Sequence, residues 1–296
     1  MLALLIMIAA GSIAYKIKLL DEHTNSRLTS LIVVIFNPML ILSSAANAVG
    51  QISISKLLSV GAVATAMFAV FIILGMILTR FFEKDLEKKR IWQLMFVFNN
   101  AGFIGIPVVS TVLGPELVVY VTVFIVIWNI IFYTYGIAVM EGRFDIRSLG
   151  SILNPGTVFS VLGFLLIALN IHLPGFLVTA STYIGNVTPA VALMLVGFSI
   201  MKADIKSILK NSKLYIFTFI KMLVIPIAMC FVLKLFISDM DVVNVCVIEF
   251  GMPVGNMPLM LALQKNMDGS DCSAAIIMTT IFCVISVPIL LAFAAI

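Results

Sequence analysis

Apolar runs of about 15 to 25 residues follow one another along almost the whole chain, separated by polar stretches too short to fold alone. A soluble fold must meet water with polar side chains. Here 62% of the 296 residues are hydrophobic and 11% are charged, against roughly 25% charged in an ordinary soluble domain. Lipid is therefore the solvent, and a soluble enzyme is excluded. The net charge of +4 is spread over short loops rather than gathered on one face, which argues against a nucleic-acid partner.

The runs place ten spans near 1–16, 27–46, 57–80, 91–112, 117–140, 152–171, 176–200, 213–236, 242–264 and 272–295, an all-α integral membrane fold. No Lys or Arg precedes the first run, so it reads as a retained membrane helix rather than a cleaved signal peptide. Cys230, Cys246, Cys272 and Cys283 lie in or beside apolar stretches with no CxxC pair, and read as small apolar residues. His23 and His172 fall in loops without metal-ligand spacing. No metal or organic cofactor is expected beyond a coupling ion.

Of the 18 Lys and Arg residues, all but Lys56, Lys234 and Lys221 fall in odd-numbered loops, with clusters such as Lys16, Lys18 and Arg27, or Arg80, Lys84, Lys88, Lys89 and Arg90. By the positive-inside rule both termini are extracytoplasmic, in a multi-pass protein of the plasma (inner) membrane.

Five spans per half, residues 1–145 and 146–296, require a second half built like the first to sit inverted in the bilayer. Pro38 and Pro107 recur 151 residues later as Pro189 and Pro258, in spans 2, 4, 7 and 9. Inverted repeats are a device of transporters, in which exchange of the halves' conformations alternates access.

Span 4 contains Asn99-Asn100-Ala101-Gly102-Phe103-Ile104-Gly105-Ile106-Pro107, and span 9 contains Glu249-Phe250-Gly251-Met252-Pro253-Val254-Gly255-Asn256-Met257-Pro258. Proline removes a helix hydrogen bond and glycine permits non-helical backbone. The backbone is expected to open at both places, where protein or a water-filled cavity must satisfy it. The alternative is a pair of simple proline kinks.

These two runs, with Ser286-Val287-Pro288, Asn154-Pro155 and the Leu193–Ser199 segment, resemble the auxin efflux carrier family along essentially the whole chain. The resemblance implies a ten-helix fold shared with bile-acid sodium symporters, with broken spans 4 and 9 crossing at the membrane centre. Spans 1, 2, 6 and 7 would form a scaffold, often a homodimer, and spans 3–5 and 8–10 an elevator-type transport domain. It also implies a substrate carboxylate beside Asn100; Gly102, Pro107, Pro253 and Gly255 at the breaks, and Asn256 by its position near the second break, are the further substrate-site candidates. Ser43, Ser44 and Asn47 of span 2 either reach the same cavity or hydrogen bond to their own helix.

Glu249 and Lys221 are the ionisable residues clearly inside spans, and charge at that depth demands a partner, water or neutrality. Glu249, with Asn99, Asn100 and opened carbonyls, is the candidate for coupling Na⁺ or H⁺; a neutral, satisfied carboxyl is the alternative. Lys221 is expected to snorkel or to pair with a carboxylate. The function expected is a carrier of a small organic acid across the lipid bilayer; the runner-up is a sodium-coupled importer of a larger amphipathic acid. An intramembrane enzyme is disfavoured, since HExxH, GxSxG, paired aspartates and a P-loop are missing.

Overall fold

The computed structural model describes residues 2–142, 153–202 and 211–295. The expected boundary between the halves at 145/146, and the loop residues Arg143, Arg147, Lys206 and Lys210, lie outside the described residues. Among those described the chain is all helical, with one isolated bridge and no strand.

Helices occupy every expected span. They are α1 (Leu2–Lys16), α2 (Glu22–Ala48), α3 (Ile54–Phe82), α4 (Leu86–Val97), α5 (Ala101–Val112) and α6 (Pro115–Glu141). Then follow α7 (Pro155–Ala168), α8 (Gly175–Met201) and α9 (Ser212–Phe236), α10 (Met240–Phe250), α11 (Asn256–Gln264) and α12 (Ser270–Ala295). Six of these, α2, α3, α6, α8, α9 and α12, are long and apolar enough to cross a membrane, with mean hydropathies of 1.8 to 2.6. An apolar stretch of α1, together with α5 and α7, forms shorter apolar helices.

Caps set some boundaries that hydropathy misses. The helix of span 2 begins at Glu22 because the Asp21 carboxylate accepts the Thr24 N–H at 2.7 Å, capping a polar first turn ahead of the apolar run. Three π-helical turns, Ile32–Phe36, Ala101–Gly105 and Ile220–Val224, each precede a helix whose second residue is proline: Pro38, Pro107 and Pro226. The wider turn absorbs the missing N–H and the ring's clash with the preceding carbonyl without breaking the helix.

The chain divides into two compact units. The first comprises Met1–Gly61, Ala101–Val126 and Leu153–Ala203. Within it α1 packs on the second half of α8 so closely that a Cβ on Gly11 would stand 1.8 Å from the Met194 carbonyl oxygen. Small residues permit this backbone approach, which is how helices associate where lipid supplies no hydrophobic drive. Ser12 Oγ adds hydrogen bonds to Ile8 O at 3.1 Å and Gly197 O at 3.2 Å. Leu20, Ile32, Ala192, Leu195 and Phe198 form the apolar centre beside them.

The second unit comprises Ala62–Asn100, Ile127–Ile152 and Asp204–Ile296. Aromatic contacts fill it: Trp92 stacks on Phe82 at 5.1 Å between centroids, and Phe217 meets Phe96 at 4.7 Å. Gln93 joins α3 to α6, donating to Ile72 O at 3.0 Å and to the Tyr135 hydroxyl at 2.7 Å. Ion pairs Lys88–Asp268 at 2.9 Å and Lys265–Glu141 at 2.8 Å tie its loops and helix ends.

Candidate functional site

The polar centre of the second unit is built where two helices stop. α4 ends at Val97, leaving Phe98 extended at φ −103° and ψ 109°. α10 ends at Phe250, and α11 begins at Asn256. The freed segments pair with each other: Asn100 N–H donates to Pro253 O at 2.8 Å, and Gly255 N–H donates to Phe98 O at 3.0 Å. These bonds flank an antiparallel bridge between Asn99 and Val254. Gly255 is required there, because a Cβ would lie 2.9 Å from the Asn99 carbonyl oxygen.

Asn99 and Val254 form the non-hydrogen-bonded kind of antiparallel pair, so their own N–H and C=O groups point away from the partner segment. Buried backbone groups must still be satisfied. Trp128 Nε1 donates to Asn99 O at 3.1 Å, and the Thr279 hydroxyl accepts the Val254 N–H at 3.1 Å while donating to Ala275 O at 2.6 Å. At the end of α10, Lys221 Nζ donates to Met252 O at 3.1 Å.

That last bond corrects the expectation for Lys221. The residue is fully buried rather than snorkelling and, among the described residues, its ammonium meets a backbone carbonyl and no carboxylate. The interrupted helix offers a freed carbonyl at membrane depth, and a cation at a helix C-terminus is favoured by the helix dipole.

Asn99 is 1% exposed and Glu249 is fully buried. The Asn99 side-chain amide donates to the Glu249 backbone carbonyl. Among the described residues, its Oδ1 and both carboxyl oxygens of Glu249 have no hydrogen-bond partner. Buried polar atoms are nearly always satisfied, so each orphan requires an account. Three orphaned oxygens, two on a carboxyl group and one on an amide, are the donor type that hard cations take, and the carboxyl can alternatively carry a proton.

The other expected site residues divide between the units. In the second unit Asn100 is partly exposed, Pro253 and Gly255 are buried in the break, and Asn256 is exposed at the start of α11. In the first unit Gly102 lies in the π turn of α5 and Pro107 is the second residue of the α-helix that follows. The opening of span 4 is thus confined to Phe98–Asn100, because the π turn restores helical bonding by Ala101. Asn37, the polar residue before Pro38, donates to Gly102 O at 2.8 Å. Ser43 bonds its own helix at Leu40 O, 3.0 Å away; Ser44 donates to Pro115 O at 2.9 Å; Asn47 is exposed.

Sequence reasoning missed Trp128, Thr279 and Asn37. A tryptophan, a threonine and an asparagine within apolar spans announce a need for hydrogen bonds, but not which backbone group they serve.

Apolar helices long enough to cross a bilayer, two of the chain's expected spans interrupted, and ionisable groups buried beside an interruption define a multi-pass membrane protein with an intramembrane polar site. Over residues 1–148 and again over 144–291 the chain matches the family described as Membrane transport protein. The chain belongs to this family, that of the auxin efflux carriers, whose members are transporters rather than enzymes. Comparison with curated proteins gives no match.

Proposed function

We propose that the protein is a secondary carrier of a small organic anion, a carboxylate, working by elevator-type alternating access in a ten-span fold of two inverted five-span repeats. The observation that carries this reading is the antiparallel pairing of Phe98–Asn100 with Pro253–Gly255. Irregular backbone at membrane depth is maintained only where it serves a cavity or is wrapped in protein, and here it leaves Asn100 and Asn256 accessible. A neutral amide and helix N-terminal N–H groups attract a carboxylate without holding it against release. Asn100 is the central substrate residue, with Pro253, Gly255 and Asn256 shaping the site within the second unit. Spans 1, 2, 6 and 7 act as a homodimeric scaffold in a plasma membrane, with both termini outside the cytoplasm.

The orphaned oxygens of Glu249 and Asn99 favour a second reading, the sodium-coupled import of a larger amphipathic acid. In either reading these two residues hold the coupling ion, Na⁺ or H⁺.

The test is a thermal-shift screen of the purified protein against carboxylic acids, with Na⁺ or a non-coupling cation, at two pH values. A ligand at 100 times its Kd stabilises the folded state by about 2.7 kcal/mol. A hit strengthened by Na⁺ supports the symport reading; a hit that responds to pH alone supports proton coupling. Asn100→Ala should abolish the shift in a protein that remains folded, and an unchanged shift removes the helix break from the substrate site.

A further inference from the structure

The first unit carries a cavity of about 490 Å³ at the junction of α1, α2 and α8, within the roughly 300–1,000 Å³ of small-molecule sites. Its apolar wall is Tyr15, Leu20 and Phe198; its charged wall is Lys16, Lys18, Asp21 and Glu22. The transport reading uses none of them.

The backbone explains the arrangement. α1 stops at Lys16, and Lys18 adopts a left-handed conformation at φ 61°. The N–H groups of Leu19 and Leu20 fold back onto Ala14 O at 2.9 and 3.2 Å, closing the end of the helix. This turn drives Leu20 into the core, while Ile17 and Leu19 remain 60% and 70% exposed between the exposed lysines. Tyr15 is fixed edge-on to Phe198 at 5.3 Å between centroids. Exposed apolar side chains alternating with lysines, next to an aromatic pair, form the pattern of a membrane–water boundary.

The charges on the wall are balanced, two basic residues against two acidic. Asp21 stays ionised, because the Thr24 N–H holds its carboxyl below the usual value. A purely anionic headgroup would set its phosphate against two carboxylates. A ligand with a phosphate and an ammonium matches both halves of the wall. A primary ammonium also donates three N–H groups to carboxylates, which a quaternary ammonium cannot do.

We propose that this cavity binds the zwitterionic phosphoethanolamine headgroup of a membrane lipid, with the phosphodiester on Lys16 and Lys18 and the primary ammonium on the Asp21 side of the wall. Ile17 and Leu19 lie against its acyl chains. The proposal rests on membrane embedding alone and is independent of what is transported.

The test offers delipidated protein phosphatidylethanolamine, phosphatidylcholine and phosphatidylglycerol at equal mole fraction, and reads the retained lipid by native mass spectrometry. Phosphatidylethanolamine should be retained above the other two. The Lys16→Gln/Lys18→Gln variant should lose that retention about three- to tenfold, the effect of two exposed charge pairs. Both lysines are exposed, so helicity and thermal midpoint should match the parent. Equal retention of phosphatidylcholine, a preference for phosphatidylglycerol, or undiminished retention by the variant overturns the proposal. Soluble glycerophosphoethanolamine supplied at the lipid's concentration should not displace it. Displacement would make the free phosphodiester the ligand and overturn the lipid assignment.

Discussion

Thr279→Val replaces a hydroxyl by a methyl group at nearly constant volume, at a fully buried position that serves the helix break. Thr279 Oγ1 accepts the Val254 N–H at 3.1 Å, and Val254 is itself fully buried. In the valine variant that N–H has no partner and no water, a cost of about 1–3 kcal/mol. The hydroxyl's other bonds go to Ala275 O and Ile276 O of its own helix, carbonyls that helix backbone N–H groups already serve, so their loss adds little. With a midpoint change of about 2–4 °C per kcal/mol, the unfolding midpoint in detergent should fall by roughly 2–12 °C. Hydrogen exchange locates the effect: the Val254 amide should exchange roughly 5- to 150-fold faster. Thr279→Ser is the control. It sacrifices a methyl group, about 1 kcal/mol, yet keeps the Val254 amide protected. A valine variant with parental stability and a protected Val254 amide would refute the claim that Thr279 holds this segment open.

Glu249→Gln keeps the side chain's shape but replaces a group that can hold a cation or a proton by a neutral amide, so ion-driven uptake in proteoliposomes should lose its cation dependence; full Na⁺ or H⁺ coupling would make the residue structural. Gly11→Ala puts a methyl group where only 1.8 Å separates it from Met194 O, and overpacking of this kind costs about 1–3 kcal/mol, read as a lower thermal midpoint. Asp268 is held down at about 2 by the Ser270 hydroxyl and the Lys88 ammonium. Its folded value lies below the ordinary 3.8, so its stabilisation is present above about pH 4 and fades as pH falls through 2. Asp268→Asn should therefore lower the midpoint slightly at pH 7 and converge with the parent near pH 2; an equal gap at both values would remove the ion pair from the account.

The all-helical membrane class and both interruptions were legible, because lipid imposes a minimum run length and because glycine and proline within apolar runs have few uses. The extent of the first interruption was not. The run from Asn99 to Pro107 reads as one long opening, yet the π turn at Ala101–Gly105 confines it to three residues. A π turn costs one extra residue in register and leaves no mark in composition. Trp128 and Thr279 escaped notice because their partners depend on which faces of α6 and α12 meet the breaks. Lys221 was misread for a related reason: its distance from the helix end was visible, but the carbonyl freed in the break between α10 and α11 was not. The Lys16–Glu22 cavity depends on a single left-handed residue, Lys18, that no sequence rule marks.

The pairing of the two interruptions also bears on how the protein is made. Asn99 and the carbonyl its side chain binds, at Glu249, are separated by 150 residues. At about 5–20 residues per second of synthesis, the earlier segment enters the membrane roughly 8–30 seconds before its partner exists. During that interval the exposed peptide groups of Phe98–Asn100 have no counterpart in lipid, where each costs several kcal/mol. The nascent chain must keep that segment hydrated or held by the insertion machinery until α10 and α11 arrive, and stalling translation between the two should leave span 4 accessible to water-borne probes.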